Sequence, residues 1–164
     1  MDLSKILAIS GKPGLYKMLS ETKNGLLVES MDNQKRFPVF AHEKISSLEE
    51  ISIFTEDDDM PLKEIFKKMH ELLEGKEAPD HKSDQAKLKE FFEKAVPEYD
   101  QERVYNSDIK KVINWYNQLH GHNLLEFTEE EEVEQGETEG HPAEGGEKEE
   151  EKKEDNAKAE DEKD

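Results

Sequence analysis

The stretch Gly11–Ser30, GKPGLYKMLSETKNGLLVES, limits what this chain can become more than any other. Asn24-Gly25 lies between two runs of apolar and β-tolerant residues. Both residues accept the positive φ of the tight turns whose twist matches two antiparallel strands. A β-hairpin is predicted there, with strands over Leu15–Thr22 and from Leu26 to about Met31. Neither strand alternates cleanly: Leu15 and Leu19 oppose Tyr16 and Met18, and Leu26 and Val28 oppose Leu27 and Met31. Apolar residues on both faces suit a curled sheet that is filled inside and covered outside.

The neighbouring residues extend this sheet. Asp32-Asn33-Gln34 is a second turn signal and Lys35–Ala41 a third strand, at an edge because Pro38 has no N–H to give a ladder. Ser47-Leu48-Glu49-Glu50 has the form of a capping box and predicts one helical turn, and Ile51–Thr55 alternates as a last strand. Upstream, Asp2 caps a helical turn with Leu3, Ile6 and Leu7 on one face, or the segment is a strand; both stay open. Gly11-Lys12-Pro13-Gly14 is a turn. Residues 1–56 are therefore expected to form an SH3-like curled sheet or small barrel.

Residues 57–127 change period. Leu62, Ile65, Phe66, Met69, Leu72 and Leu73 recur at the helical interval. They predict a helix over Pro61–Glu74, capped by Asp58, Asp59 or Met60 and stopped by Gly75. After a linker at Pro79-Asp80, Ser83 or Asp84 caps a second helix with Leu88, Phe91, Phe92, Ala95 and Val96 on one side, ended by Pro97. A third runs from near Ser107 to about His120 over Ile109, Val112, Ile113, Tyr116 and Leu119, with Gly121 as its cap; Leu124, Leu125 and Phe127 fold back. Helices this short must pack together or on the sheet. The expected class is α+β, a small β domain followed by a three-helix domain.

From Thr128 to Asp164 there are 18 acidic and 5 basic residues, so this segment carries −13 of the chain's −19 and residues 1–127 carry −6. With almost no large apolar side chain it cannot form a core and is expected to be a disordered acidic tail, with transient helix around Glu147–Glu154. The negative field disfavours unspecific attraction to nucleic acid or anionic lipid, leaving only local basic faces. The absence of cysteine excludes a disulfide framework, a thiolate zinc site and a cysteine nucleophile. MDLSKILAIS lacks a basic segment leading into an apolar core, and no window approaches the roughly 18 apolar residues of a membrane span. The expected setting is the cytoplasm, with no membrane partner and no cofactor.

Candidate chemistry is sparse. Gly11–Gly14 lacks the spacing and the following helix of a phosphate loop. Asp57, Asp58 and Asp59 lack the alternate spacing of a calcium loop, and solvated helix-end acids are the simpler reading. Asp80-His81 with Asp84 resembles a carboxylate-oriented base without a nucleophile, and His120 and His122 flank Gly121 with no third ligand. On the third helix Lys110, Lys111, Asn114, Asn117 and Gln118 share an acid-free polar face. Lysine suits phosphate and the amides suit base edges, whereas an ordinary solvated face is the plain alternative. Lys12, Lys17, Lys23, Lys35 and Arg36 interleave with Tyr16, Phe37 and Phe40, aromatics for which a place in the core is the simpler reading. Trp115, the only tryptophan, is expected to pack between the two halves.

ISGKPGLYK, TKNGLLVES, RFPVFA, SSLEEISIFT, DHKSD and RVYNSDIKKVINWYNQL together resemble a Bacteroidota family catalogued as a domain of unknown function. The resemblance spans about residues 1–127. It implies a small N-terminal β domain and a C-terminal helical domain, and brings no activity, substrate or site residue with it. Three function classes follow from the residues. The first is a non-enzymatic binding or adaptor protein with a protein partner, presenting the sheet and helices as a surface. The second is an RNA- or DNA-binding protein using the hairpin lysines and the polar face of the third helix. The third is a hydrolase or metal enzyme using Asp80, His81 and Asp57–Asp59.

Overall fold

In the computed structural model, which describes residues 1–127, the hairpin forms as β2 (Tyr16–Thr22) and β3 (Gly25–Ser30). Three more strands complete an antiparallel sheet: β1 (Ile6–Ile9), β4 (Arg36–Phe40) and β5 (Ile45–Ser47), in the order β4-β3-β2-β1-β5. The expected tail, residues 128–164, lies outside the described residues. Pro38 is in edge strand β4, where its missing N–H costs the ladder nothing. The segment around Leu3–Leu7, open between turn and strand, supplies β1.

The apolar residues of both parities find separate homes. Leu7, Ile9, Tyr16, Val28 and Val39 are buried in a small core enclosed by the curl of the sheet, with Met18, Leu26, Phe37 and Ile45 around it. Ile6, Leu15 and Met31 join the main core with the helices. Leu19 belongs to neither: the register of β2 on β3 shifts between Met18 and Ser20, and Leu19 in this bulge stays exposed.

The sheet is open, which corrects the expectation of a barrel. After the short β5 the chain leaves through a 3₁₀ turn (Leu48–Glu50), capped by Ser47, and β4 and β5 remain separate edges. Ile51–Thr55 is likewise not the sheet's last strand. Its central part, β6 (Ser52–Phe54), pairs with β7 (Asp59–Pro61) in a separate hairpin. Asp59, Met60 and Pro61 thus extend a strand before the first helix begins, where a cap was expected.

The hairpin turn corrects a second expectation. Thr22 pairs with Gly25, so Lys23 and Asn24 make the turn, and neither Asn24 nor Gly25 takes a positive φ. Gly25 is required for a different reason: a Cβ there would lie 1.9 Å from the Val39 carbonyl oxygen of β4. The glycine lets two strands approach; it does not serve the turn.

Helices α1 (Leu62–Leu72), α2 (Gln85–Ala95) and α3 (Asn106–Gly121) follow the predicted stripes. Leu62, Ile65, Phe66 and Met69 of α1, Leu88, Phe92 and Ala95 of α2, and Ile109, Val112, Ile113, Tyr116 and Leu119 of α3 are buried together with Leu3, Ile6, Leu15 and Leu48. One apolar core therefore runs from the sheet into the helices. Lys68 of α1 is ion-paired with Glu98 beyond α2, and this hydrogen bond holds the Glu98 carboxyl below the usual glutamate range.

Gly25→Ala is expected to destabilise the protein by at least about 2 kcal/mol, because the clash is with backbone that has no rotamer to escape into. Gly11→Ala, at φ +80° with no atom near its Cβ, is expected to cost only about 1 kcal/mol. Urea unfolding of the two variants checks the ranking; an equal or reversed cost contradicts the close-approach explanation.

Candidate functional site

The polar residues of α3 divide into two groups. In its C-terminal half they bond to the protein itself. Gln118 Oε1 accepts the Leu15 N–H at 2.8 Å. Asn117 Oδ1 accepts the Ala78 N–H at 2.9 Å, while its Nδ2 donates to the Ala78 and Pro79 carbonyls, both at 3.2 Å. The Tyr116 hydroxyl donates to the Lys76 carbonyl at 3.0 Å and His120 Nε2 to that of Gly75 at 2.9 Å. Burial pushes the Tyr116 hydroxyl up to about 12, so it remains a donor throughout the physiological range. His122 Nε2 donates to the Met31 carbonyl at 2.6 Å, just beyond β3. The long α1–α2 linker and two points of the sheet are thus fastened to one end of α3.

The hairpin cations are also partly engaged. Lys12 pairs with Glu43 at 3.2 Å and lies 4.7 Å from the centre of the Phe37 ring, which itself packs edge-on against Tyr16. The Phe40 N–H, first, and Lys12 hold the Glu43 carboxyl low. Arg36 pairs with Glu29 at 2.8 Å. Lys23 is exposed in the β2–β3 turn, Lys35 is exposed before β4, and Lys17 is half-buried in β2 opposite Glu29. Asp80 and His81 meet at 3.4 Å, and among the described residues no group of three metal-ligating side chains comes together.

The N-terminal half of α3 faces a cleft of about 230 Å³. One wall is Ile51–Phe54 and the other is Asp108, Lys111, Val112 and Trp115 of α3, with Arg103 and Val104 at the junction. Ile53, Val104 and Val112 are buried, Trp115 is half-buried and Lys111 is exposed. Lys110 and Asn114, the other sequence candidates on this half, do not line it.

Local chemistry fixes the cleft's shape. The Asp100 carboxylate accepts the N–H groups of Glu102 and Arg103 at 2.9 and 3.2 Å and pairs with the Arg103 guanidinium at 2.7 Å. Those bonds hold the Asp100 carboxyl below its usual range, the Arg103 side chain contributing most. Thus pinned, Arg103 lies 4.5 Å from the Phe54 ring centre and donates to the Thr55 carbonyl at 3.3 Å. The Asp108 carboxylate accepts the Tyr105 N–H at 3.0 Å and starts α3 one residue before Ser107.

Of the residues singled out in the sequence, the cleft takes Lys111, and Trp115 lines it where an inter-domain packing role was expected. Phe54, Arg103 and Asp108 were missed. Asp108 carried a legible signal, a carboxylate at the third helical position; the approach of Phe54 and Arg103 is made by tertiary pairing alone.

The chain matches two family descriptions: Domain of unknown function (DUF5606) over residues 3–48 and Domain of unknown function (DUF6852) over residues 51–119. A solution NMR structure of a structural-genomics target from Bacteroides vulgatus is 38% identical, covers 88% of this chain and 100% of its own, and superposes with a TM-score of 0.64. No curated protein matches the chain.

Asn117→Ala and Gln118→Ala are each expected to cost about 1–3 kcal/mol, since each leaves a part-buried main-chain donor without its partner. Lys110→Ala and Asn114→Ala are expected to stay within about 0.5 kcal/mol of the parent. Denaturant titration of the four variants tests the division; a neutral Gln118→Ala contradicts it.

Proposed function

We propose that this chain, which belongs to the same Bacteroidota family of domains of unknown function as the Bacteroides vulgatus protein, is a non-enzymatic binding or adaptor protein that receives a protein partner in the cleft between β6 and α3. The observation that supports this is the make-up of the cleft. Its floor is Ile53, Val104, Val112 and the face of Trp115, and its rim carries Lys111, which has no ion pair among the described residues. Apolar floors with a few placed charges are what partner-binding pockets use. The only hydroxyl side chain in the lining is Ser52, and no histidine accompanies it as a base.

Recognition of RNA or DNA has less support. Counterion release needs cations available to phosphate, and Lys12 and Arg36 are committed to Glu43 and Glu29. Base-edge contacts need free amides, and those of Asn117 and Gln118 hold main chain. A cytoplasmic setting is part of the proposal and rests on the cysteine-free composition; no helix among the described residues is long and apolar enough to cross a membrane.

Affinity capture from native bacterial lysate tests the cleft. Partners held by the full chain are expected to be lost with Lys111→Glu and retained with Lys110→Glu and on deletion of residues 128–164. An identical partner set with and without Lys111→Glu overturns the cleft as the site, and an empty set at low salt overturns the binding role.

A further inference from the structure

One wall of the cleft is a strand whose hydrogen-bonding pattern can be worked out. Along an antiparallel pair, residues alternate between those that exchange main-chain bonds with the partner and those whose N–H and C=O face the opposite edge. β6 and β7 pair Ser52 with Pro61, Ile53 with Met60 and Phe54 with Asp59, and the Leu62 N–H donates to the Ile51 carbonyl at 3.0 Å. Ile51 and Ile53 are therefore the residues bonded toward β7. Ser52 and Phe54 turn their main-chain groups to the other edge.

That edge is covered over part of its length by the chain itself. Thr55 and Tyr99 form an antiparallel bridge, with the Asp100 N–H donating to the Phe54 carbonyl at 3.0 Å and the Glu56 N–H to the Glu98 carbonyl at 2.9 Å. Asp100 then ends the pairing: its carboxylate gathers Glu102 and Arg103, and the chain turns off into α3. The cover stops one residue short of Ser52. The main-chain N–H and C=O of Ser52 and the N–H of Phe54 are left without a main-chain partner on that edge, in two residues that line the cleft.

Resting on the cleft as the binding site, we infer that it works by strand addition: an extended peptide, with apolar side chains and one acid on the same face, continues the edge pairing begun by Glu98–Asp100. Its main chain bonds to Ser52 and Phe54. Side chains on the Ile53 side of the strand enter between Val104, Val112 and Trp115, and a carboxylate two residues along, on the same face, pairs with Lys111. Two observations select this occupant. An edge already pairing with a strand offers the spacing that the next one needs. Of the charged groups in the lining, Arg103 is paired with Asp100 and the Asp108 carboxylate is turned to the Tyr105 N–H, so Lys111 is the cation left to take one acid and the remaining contacts fall to apolar side chains.

The sole tryptophan supplies a reporter inside the site. A library of acetylated, amidated heptapeptides carrying Phe, Leu or Val and one Glu or Asp at alternate positions, with Ser or Thr between them, is titrated into the full chain while Trp115 fluorescence is followed. Binders are expected. Methylating alternate amide nitrogens of the best binder, or Ser52→Pro in the protein, is expected to weaken binding at least about tenfold. Ser52→Pro removes an N–H that β7 does not use, and Ile51, at φ −88° and ψ 132°, already has the conformation that a following proline requires. Lys111→Glu is expected to weaken the same peptides, and Lys110→Glu to leave them unchanged. A peptide that binds equally well after amide methylation and to Ser52→Pro overturns strand addition while leaving the cleft as a side-chain pocket. Strand addition is also overturned if no library member moves Trp115 while lysate partners still depend on Lys111. If those partners do not depend on Lys111, the underlying choice of cleft fails instead.

Discussion

The Gln118 side chain's bond to the Leu15 N–H joins the third helix to the turn entering the central hairpin, across 103 residues of sequence. Much of the structure depends on it and its neighbours. Apolar burial of Ile113, Tyr116 and Leu119 brings the helix to the core, but apolar contact is not directional and does not set where the helix stops sliding. The amides and imidazoles do. Asn117 and His120 fix the α1–α2 linker, and Gln118 and His122 fix the two ends of the β2–β3 hairpin near Leu15 and Met31. The approach is close: a Cβ on Gly14 would lie 2.9 Å from the Gln118 amide nitrogen.

This arrangement explains why the cleft lies where it does. With one half of α3 bonded to the linker and the sheet, the half from Asp108 to Trp115 lines the cleft. It faces a short hairpin, β6–β7, that belongs neither to the main sheet nor to the helices. The two matching family descriptions part at residues 49–50, immediately before that hairpin. The strand that walls the cleft is thus supplied by the helical part of the sequence.

Much of the fold could be read from pattern alone, and the limits of that reading are instructive. The three helices were legible because Leu62, Ile65, Phe66 and Met69, and their equivalents, repeat at a period that strands do not share. Pro38 marked an edge and Ser47 a helical turn because each acts through local chemistry. Ile45–Ser47 was not legible as a strand: three residues carry no period, and only pairing with β1 makes them one. Asn24-Gly25 gave the right hairpin for the wrong reason, since sequence shows a glycine but not the Val39 carbonyl that requires it. The site was least legible. An acid-free polar face was visible on α3, yet nothing in the sequence distinguished Asn117 and Gln118, which hold main chain, from Lys111, which does not.

Native-state hydrogen exchange of the full chain tests most directly whether α3 unites sheet and helices. If it does, the most protected amides of β2 and β3, the Ala78 N–H of the linker and the central turns of α3 exchange with a common free energy, and all fall together when Gln118 is replaced by Ala. Protection of β2 and β3 that is lower than that of α3, and that the substitution leaves unchanged, would show two independent units merely lying in contact and would contradict a unifying role for this helix.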